Sequence, residues 1–293
     1  MADDDATGTG AIRRDEAALL ARIASRTAGQ SGSENFPVAL RLLPRRPRSH
    51  LARLYGFARF VDDVGDVASG DRLRLLDVID ADVRALWTGV PVLAPVAELR
   101  PMITNCAIPV EPLLDLIEAN RVDQHTTSYD SFDDLLRYCQ LSAAPVGRIV
   151  LHIAGAATER NIAESDSVCA ALQVLEHCQD VGEDARAGRV YLPATDLRAA
   201  GVAEPELLGT TTGPGLRSVL AVQIGRAQEM LQTGRPLVRR LTGWARFAVA
   251  GYVAGGLATA AALQRSNFDV LSRQIRPSRA RTTAYLPRLL MHQ

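Results

Sequence analysis

Residues 173–193 read Gln173-Val-Leu-Glu176-His-Cys-Gln-Asp180-Val-Gly-Glu183-Asp184-Ala-Arg186-Ala-Gly188-Arg189-Val-Tyr191-Leu-Pro193. On a helix, Glu176, Asp180 and Asp184 fall at i, i+4 and i+8, three carboxylates in one row. Like charges at this spacing weaken an isolated helix by about 0.2–0.5 kcal/mol per pair, so stability alone does not select them. Hard oxygen donors so arranged suit Mg²⁺, which takes a few carboxylates and completes its shell with water and substrate phosphates. A solvated acidic stripe is the competing reading.

A second acidic run lies upstream, in Tyr55-Gly-Phe-Ala-Arg59-Phe-Val-Asp62-Asp63-Val-Gly-Asp66. Asp62 and Asp66 share a face, Asp63 neighbours Asp66, and Arg59 stands one turn before Asp63. Bulky Tyr55, Phe57, Phe60 and Val61 imply a largely buried segment, which argues against a solvated stripe. Two such rows facing each other across a helical bundle would hold Mg²⁺ ions that clamp a diphosphate and promote ionisation of an allylic or cyclopropylcarbinyl ester. An apolar interior would then shelter the carbocation from water. Di-iron chemistry is excluded, because it needs Glu-x-x-His on two helices. Val122, Ile149 and Val174 stand three residues before His125, His152 and His177.

The remaining sequence supplies the bundle. At 293 residues, 47% hydrophobic and 23% charged, the chain is not wholly disordered, and 5% aromatics with abundant Ala and Leu favour helix over sheet. All 33 basic residues are Arg, balanced by 33 acids, so no general nucleic-acid footprint exists. Cys106, Cys139, Cys169 and Cys178 form no C-x-x-C pair and read as buried reduced thiols of a cytoplasmic protein. The acidic N-terminus lacks the order of a signal peptide, and residues 1–10 read as a disordered tail. Apolar periodicity marks helices at Leu19, Leu20 and Ile23, at Leu51–Val61, and near 95–105, 110–122, 131–140, 145–157, 165–186, 214–233 and 236–264. Asp71 reads as the N-cap of a helix carrying Leu73, Leu76, Val78, Ile79, Val83 and Leu86. Phe247–Leu263 falls short of the about 20 apolar residues of a membrane span and reads as a core helix. The expectation is one all-α domain over residues 11–293.

On its two acidic motifs the chain resembles the squalene/phytoene synthase family, from about Glu34 to the C-terminal region. The signature aromatic-x-x-x-Arg-x-x-Asp-Asp-x-x-Asp is met by Tyr55, Arg59, Asp62, Asp63 and Asp66; the second is met by Gln173, Asp180, Asp184, Gly188, Arg189, Tyr191 and Pro193. Glu176 replaces the family's usual Asn, and Gln179 its usual Arg or Glu. A third region resembles Tyr138–Arg148, where Pro145 predicts a bend beside the substrate tunnel. Glu34-Asn35-Phe36-Pro37-Val38-Ala39, followed by Leu42-Leu43-Pro44, resembles the HpnC-type hydroxysqualene synthase branch.

This resemblance implies a single-domain isoprenoid-synthase bundle, class I terpenoid synthase-like, with a central apolar cavity floored partly by Phe247–Leu263. It implies two or three Mg²⁺ ions held by Asp62, Asp63, Asp66, Glu176, Asp180 and Asp184. Arg59 and Arg189 either hold diphosphate oxygens or pair with neighbouring aspartates. Tyr191 either donates to the diphosphate or packs the helix end, and Arg148 is a further substrate contact. The implied reaction ionises presqualene diphosphate and adds water to give hydroxysqualene, in squalene or hopanoid biosynthesis, with His177 or Gln179 holding the water. The alternatives are head-to-head condensation of prenyl diphosphates to presqualene diphosphate, squalene or phytoene, and a non-catalytic prenyl diphosphate binder, which the intact rows oppose. The basic stretch 264–293 either rests on the inner face of an anionic membrane, beside other isoprenoid enzymes, or packs on its own domain.

Overall fold

Asp71 caps the helix expected of it, accepting from Arg74 N at 3.0 Å. A computed structural model describes residues 12–30 and 43–291, the side chains of 28–30 excepted. The tail expected at 1–10 and the Glu34–Ala39 segment lie outside the described residues. Every regular element among those described is helical; Ser128 and Val190 form an isolated bridge, and no strand is present. Contacts divide the chain into two units, 1–124 and 125–293.

The first unit holds α1 (Arg14–Gln30), α2 (Arg45–Val67), α3 (Arg72–Thr88), the short α4 (Ala94–Ala97) and α5 (Arg100–Cys106), and α6 (Glu111–Val122). The stretch expected as one helix near 95–105 is therefore two, each opening with a Pro in its first turn. Helix α2 packs against α1, α3 and α6 and buries Leu54, Phe57, Phe60, Val61 and Val64. On α3, Leu76, Val78, Ile79, Val83 and Leu86 are buried as expected, but Leu73 is exposed and Leu75 takes the inward place. Buried Asp82 accepts from Val92 N at 2.7 Å and Leu93 N at 2.9 Å, which satisfies its charge and fastens the loop after α3.

The second unit comprises α7 (Phe132–Ser142), α8 (Ala144–Ile153), α9 (Glu159–Gln179), α10 (Val181–Arg186), α11 (Ala194–Ala199), a 3₁₀ turn (Glu204–Leu208), α12 (Pro214–Gly234), α13 (Leu237–Arg240), α14 (Gly243–Arg265) and α15 (Arg279–Met291). Ser131 and Asp134 form a capping box for α7, and Thr158 caps α9. Pro145 does not bend a continuous helix. The chain breaks at Ala143, and Pro145 sits in the first turn of α8, where its missing N–H has no partner to lose. Helix α9 lies centrally, packed on α12, α8 and α14. Its crossing with α12 needs Gly234, where an added Cβ would lie 2.4 Å from Val168 Cγ2. The α14 helix is long and apolar enough to cross a membrane, yet just over half of its apolar window is buried, as a core helix requires. Helix α15 packs on α14: Leu289 is buried, and Arg246 Nη2 donates to Leu290 O at 2.7 Å.

Candidate active site

The upstream acidic run occupies the last turns of α2. Asp63 is buried, with its Oδ2 2.6 Å from the Thr27 hydroxyl and its Oδ1 3.4 Å from Arg59 Nε. Asp63 is thus turned toward α1, with Arg59 beside it. Asp62 and Asp66 stand on the other side of the turn and keep solvent exposure. Protein atoms nonetheless crowd Asp62, and this desolvation, with Asp66 nearby, pushes its carboxyl up to about 6 against a hydrogen bond from Asn120 Nδ2 at 3.1 Å.

The downstream row spans a helix break. Helix α9 ends at Gln179, Asp180 adopts φ −102° and ψ 15°, and α10 begins at Val181. The rungs Asp180 N to Glu176 O, 3.0 Å, and Asp184 N to Asp180 O, 2.8 Å, continue across the break and keep the three acids in sequence along one run. Desolvation, then Asp184, then Glu176, push the Asp180 carboxyl up to about 6. A carboxylate crowded by two others is stabilised by a cation beside it, and hard oxygen donors of this kind fit Mg²⁺. Among the described residues no group of three or more His, Cys, Asp or Glu side chains is placed to hold a metal ion by itself. Mg²⁺ in its usual mode needs only one or two carboxylates, with water and phosphate oxygens supplying the rest.

After α10, Gly188 takes φ 80°, a left-handed turn natural to glycine, and sends the chain back beside residues 127–130. Val190 N donates to Thr127 O at 2.7 Å and Ala194 N to Tyr129 O at 2.9 Å. This register buries the Tyr191 ring against His177, with centroids 3.7 Å apart and planes at 12°. Tyr129 and Tyr138 complete the aromatic cluster. The Tyr191 ring thus packs within the cluster. His177 lies between Gln173, 3.2 Å from its Nε2, and Asp184, 3.6 Å from its Nδ1. Arg189 lines a narrow recess with His177, Asp184 and Tyr191. Arg148 is held by Asp166 at 2.8 Å and by Gln140 Oε1 at 2.7 Å, inside the helix packing.

A cavity of about 390 Å³ adjoins the downstream row, lined by Glu176 and Asp180, by Gly251, Gly255 and Gly256 of α14, and by Gln274 and Arg276. The glycine face of α14 thus opens beside the carboxylates. Gly251 and Gly255 would each place a Cβ in open space, whereas Gly256 would place one 2.9 Å from Leu172 Cδ2. The segment after α14 passes close to α10 at Gly182, where an added Cβ would meet Leu271 Cδ2 at 3.1 Å. Gln179 Nε2 donates to Ile275 O and fixes that segment, bringing Arg276 to the cavity. Sequence reasoning had placed Arg276 only in a basic tail and had missed Asn120. A polar amide within the apolar pattern of α6 was the one available signal for Asn120.

The family model described as Squalene/phytoene synthase matches residues 30–281. The hydroxysqualene synthase of Rhodopseudomonas palustris is 35% identical over 212 residues, 71% of each chain. That of Sinorhizobium fredii is 34% identical over 212 residues, again 71% of each chain. The crystal structure of squalene synthase HpnC from Alicyclobacillus acidocaldarius matches with a TM-score of 0.79 at 35% identity, covering 88% of this chain and 97% of that one.

Proposed function

The chain is an enzyme of the squalene/phytoene synthase family, and from that premise we propose that it ionises presqualene diphosphate and adds water, giving hydroxysqualene and diphosphate. The observation that carries this reading is the cavity that sets the Glu176 and Asp180 carboxylates beside the open glycine face of α14. Its polar end suits a diphosphate and its glycine face a prenyl chain. Identity to two hydroxysqualene synthases supports the choice of reaction.

Asp62 and Asp66 on α2, and Glu176, Asp180 and Asp184 on the α9–α10 run, are the donors that would hold Mg²⁺; Asp63, expected among them, is buried with its oxygens on Thr27 and Arg59 and faces away from the set. When bound, Mg²⁺ neutralises the diphosphate and makes it a better leaving group. Arg276 supplies a guanidinium at the same cavity for charge-assisted hydrogen bonds to diphosphate oxygens. Arg189, in its recess beside Asp184, is a second such group. Arg59 lies 3.4 Å from Asp63 and pairs with it. Tyr191 stacks on the His177 ring, and Arg148 ties α8 to α9 through Asp166.

The water that ends the reaction is assigned to Gln179 in preference to His177. Gln179 lines the cavity and commits its amide N–H to Ile275 O, so its carbonyl oxygen is directed to accept from a water. His177 is occupied by Gln173, Asp184 and the Tyr191 face. The purified protein with Mg²⁺ and presqualene diphosphate in ¹⁸O-labelled water should yield a labelled C30 alcohol without NADPH. A hydrocarbon product, a strict NADPH requirement, or turnover from farnesyl diphosphate alone would move the chain to head-to-head condensation.

A further inference from the structure

Asp62 is held in place by a neighbour on another helix. Asn120, on α6, is 8% exposed and donates from Nδ2 to Asp62 Oδ1 at 3.1 Å and to Leu116 O at 3.2 Å. Both amide hydrogens are therefore committed. Flipping the amide would set its oxygen against two acceptors, so its orientation follows from its partners. The other end of the amide lies against the backbone of α2, since a Cβ added to Gly65 would sit 2.2 Å from Asn120 Oδ1. Gln124 completes the arrangement, donating from Nε2 to Gly65 O at 3.0 Å and to Asn120 O at 2.9 Å. The glycine gap, the amide and the Gln124 clasp converge on one carboxylate oxygen.

An uncharged donor is what this position requires. A carboxylate at 120 would repel Asp62 across about 3 Å, and an aliphatic side chain would leave Asp62 Oδ1 and Leu116 O without their donor. We propose that Asn120 is a positioning residue, admitted by Gly65, that fixes the Asp62 carboxylate by one oxygen and leaves the other free to take a divalent cation. The inference rests on the reading of Asp62 as a metal ligand. It adds that the ligand's orientation is set from α6, and that Asp63, turned toward Thr27, is not held in this way.

The test measures Mn²⁺ binding to the full-length protein by electron paramagnetic resonance, with inorganic diphosphate present, alongside the Mg²⁺ dependence of turnover. Asn120→Ala should weaken Mn²⁺ binding about tenfold or more, the usual loss when a residue orienting a metal ligand is removed. Gly65→Ala should do the same while leaving Asn120 in the chain, because the new methyl group displaces the amide. It also introduces a better helix former, so a loss of binding with helical circular dichroism retained is not a folding defect. In both variants the Mg²⁺ concentration for half-maximal rate should rise by the same factor. The double variant Asp62→Asn/Asn120→Ala should bind no more weakly than Asp62→Asn alone, since Asn120 acts only through Asp62. Wild-type Mn²⁺ affinity in Asn120→Ala, with affinity lost in Asp62→Asn, overturns the positioning role and leaves the ligand reading standing. Additive losses in the double variant overturn it too. Wild-type affinity in Asp62→Asn overturns both.

Discussion

Gly255 and Gly256 are adjacent on α14 and have opposite surroundings, so alanine at the two positions should separate in stability. At Gly255 a methyl group meets nothing within 4 Å; at Gly256 it meets Leu172 Cδ2 and Leu231 Cδ1, each at 2.9 Å. Alanine gains about 1 kcal/mol over glycine in a helix interior at either site. That gain cancels in the comparison and leaves the cost of repacking two leucine ends, about 1–3 kcal/mol for overpacking. Gly255→Ala should therefore melt above Gly256→Ala by about 2–4 °C for each kcal/mol of difference. Leucine at 255 extends the experiment to function. Its four carbons project toward the cavity and displace a similar length of prenyl chain, about 0.8 kcal/mol per methylene, or roughly 3 kcal/mol and a hundredfold or more in affinity. Differential scanning calorimetry of the alanine pair and KM for Gly255→Leu are the two assays. Equal melting of the pair would refute the packing difference, and a wild-type KM for Gly255→Leu would remove the prenyl chain from that face.

Asp62→Asn and Asp180→Asn should each lower turnover at least about a hundredfold while folding normally, because each deletes a ligand charge that stabilises the departing diphosphate; rates near wild type, or full activity in EDTA, would refute the metal reading. Asp62 and Asp180 carry carboxyl pKa values raised to about 6. Between about pH 4 and 6 the folded protein retains protons that the unfolded chain has released, so stability of the metal-free protein should fall as pH rises through this window. Added Mg²⁺ should restore part of it at pH 7 but not at pH 4, and a pH 4–6 stability profile left unchanged in Asp62→Asn/Asp180→Asn would contradict the assignment. Arg148→Met should destabilise by about 2 kcal/mol through stranding Asp166, less than a fully buried pair costs because both side chains keep some solvent, and should leave KM unchanged. A raised KM with unchanged stability would return Arg148 to the substrate.

Helix positions were legible because caps and apolar periodicity are local signals. Asp71, read as a cap, is one in the structure, Ser131 and Thr158 cap two further helices that the reading had not marked with caps, and the Phe57, Phe60 and Val61 face is buried. Breaks were less legible. The interruption at Asp180 falls within an unbroken helical pattern, and the stop before α14 contains only Leu241 and Thr242. The two acidic rows could be read as rows, but not the turning of Asp63 toward Thr27, which depends on the α1–α2 crossing. Arg276 reaches its cavity only because the chain reverses through Asn267 and Phe268, at φ 55° and 57°, and then passes Gly182. Asn267 is a residue type that tolerates a left-handed turn, but Phe268 is not, so the sequence offered a basic tail where the structure has a cavity wall.

The four thiols give the fold a built-in clock. Cys139 and Cys178 are buried in the second unit, and burial pushes both up to about 12. Cys106 is half-buried in the first unit and raised less far. A thiolate is the species that an alkylating or disulfide reagent consumes, so the two buried thiols react only when their helices open. With Cys106 and Cys169 changed to Ser, the rate of labelling at Cys139 and Cys178 reports openings of the second unit, free of any signal from the first. With Cys139, Cys169 and Cys178 replaced instead, the same reagent reports on the first unit through Cys106. The chain thus carries, without an added probe, the means to learn whether its two halves open together or separately.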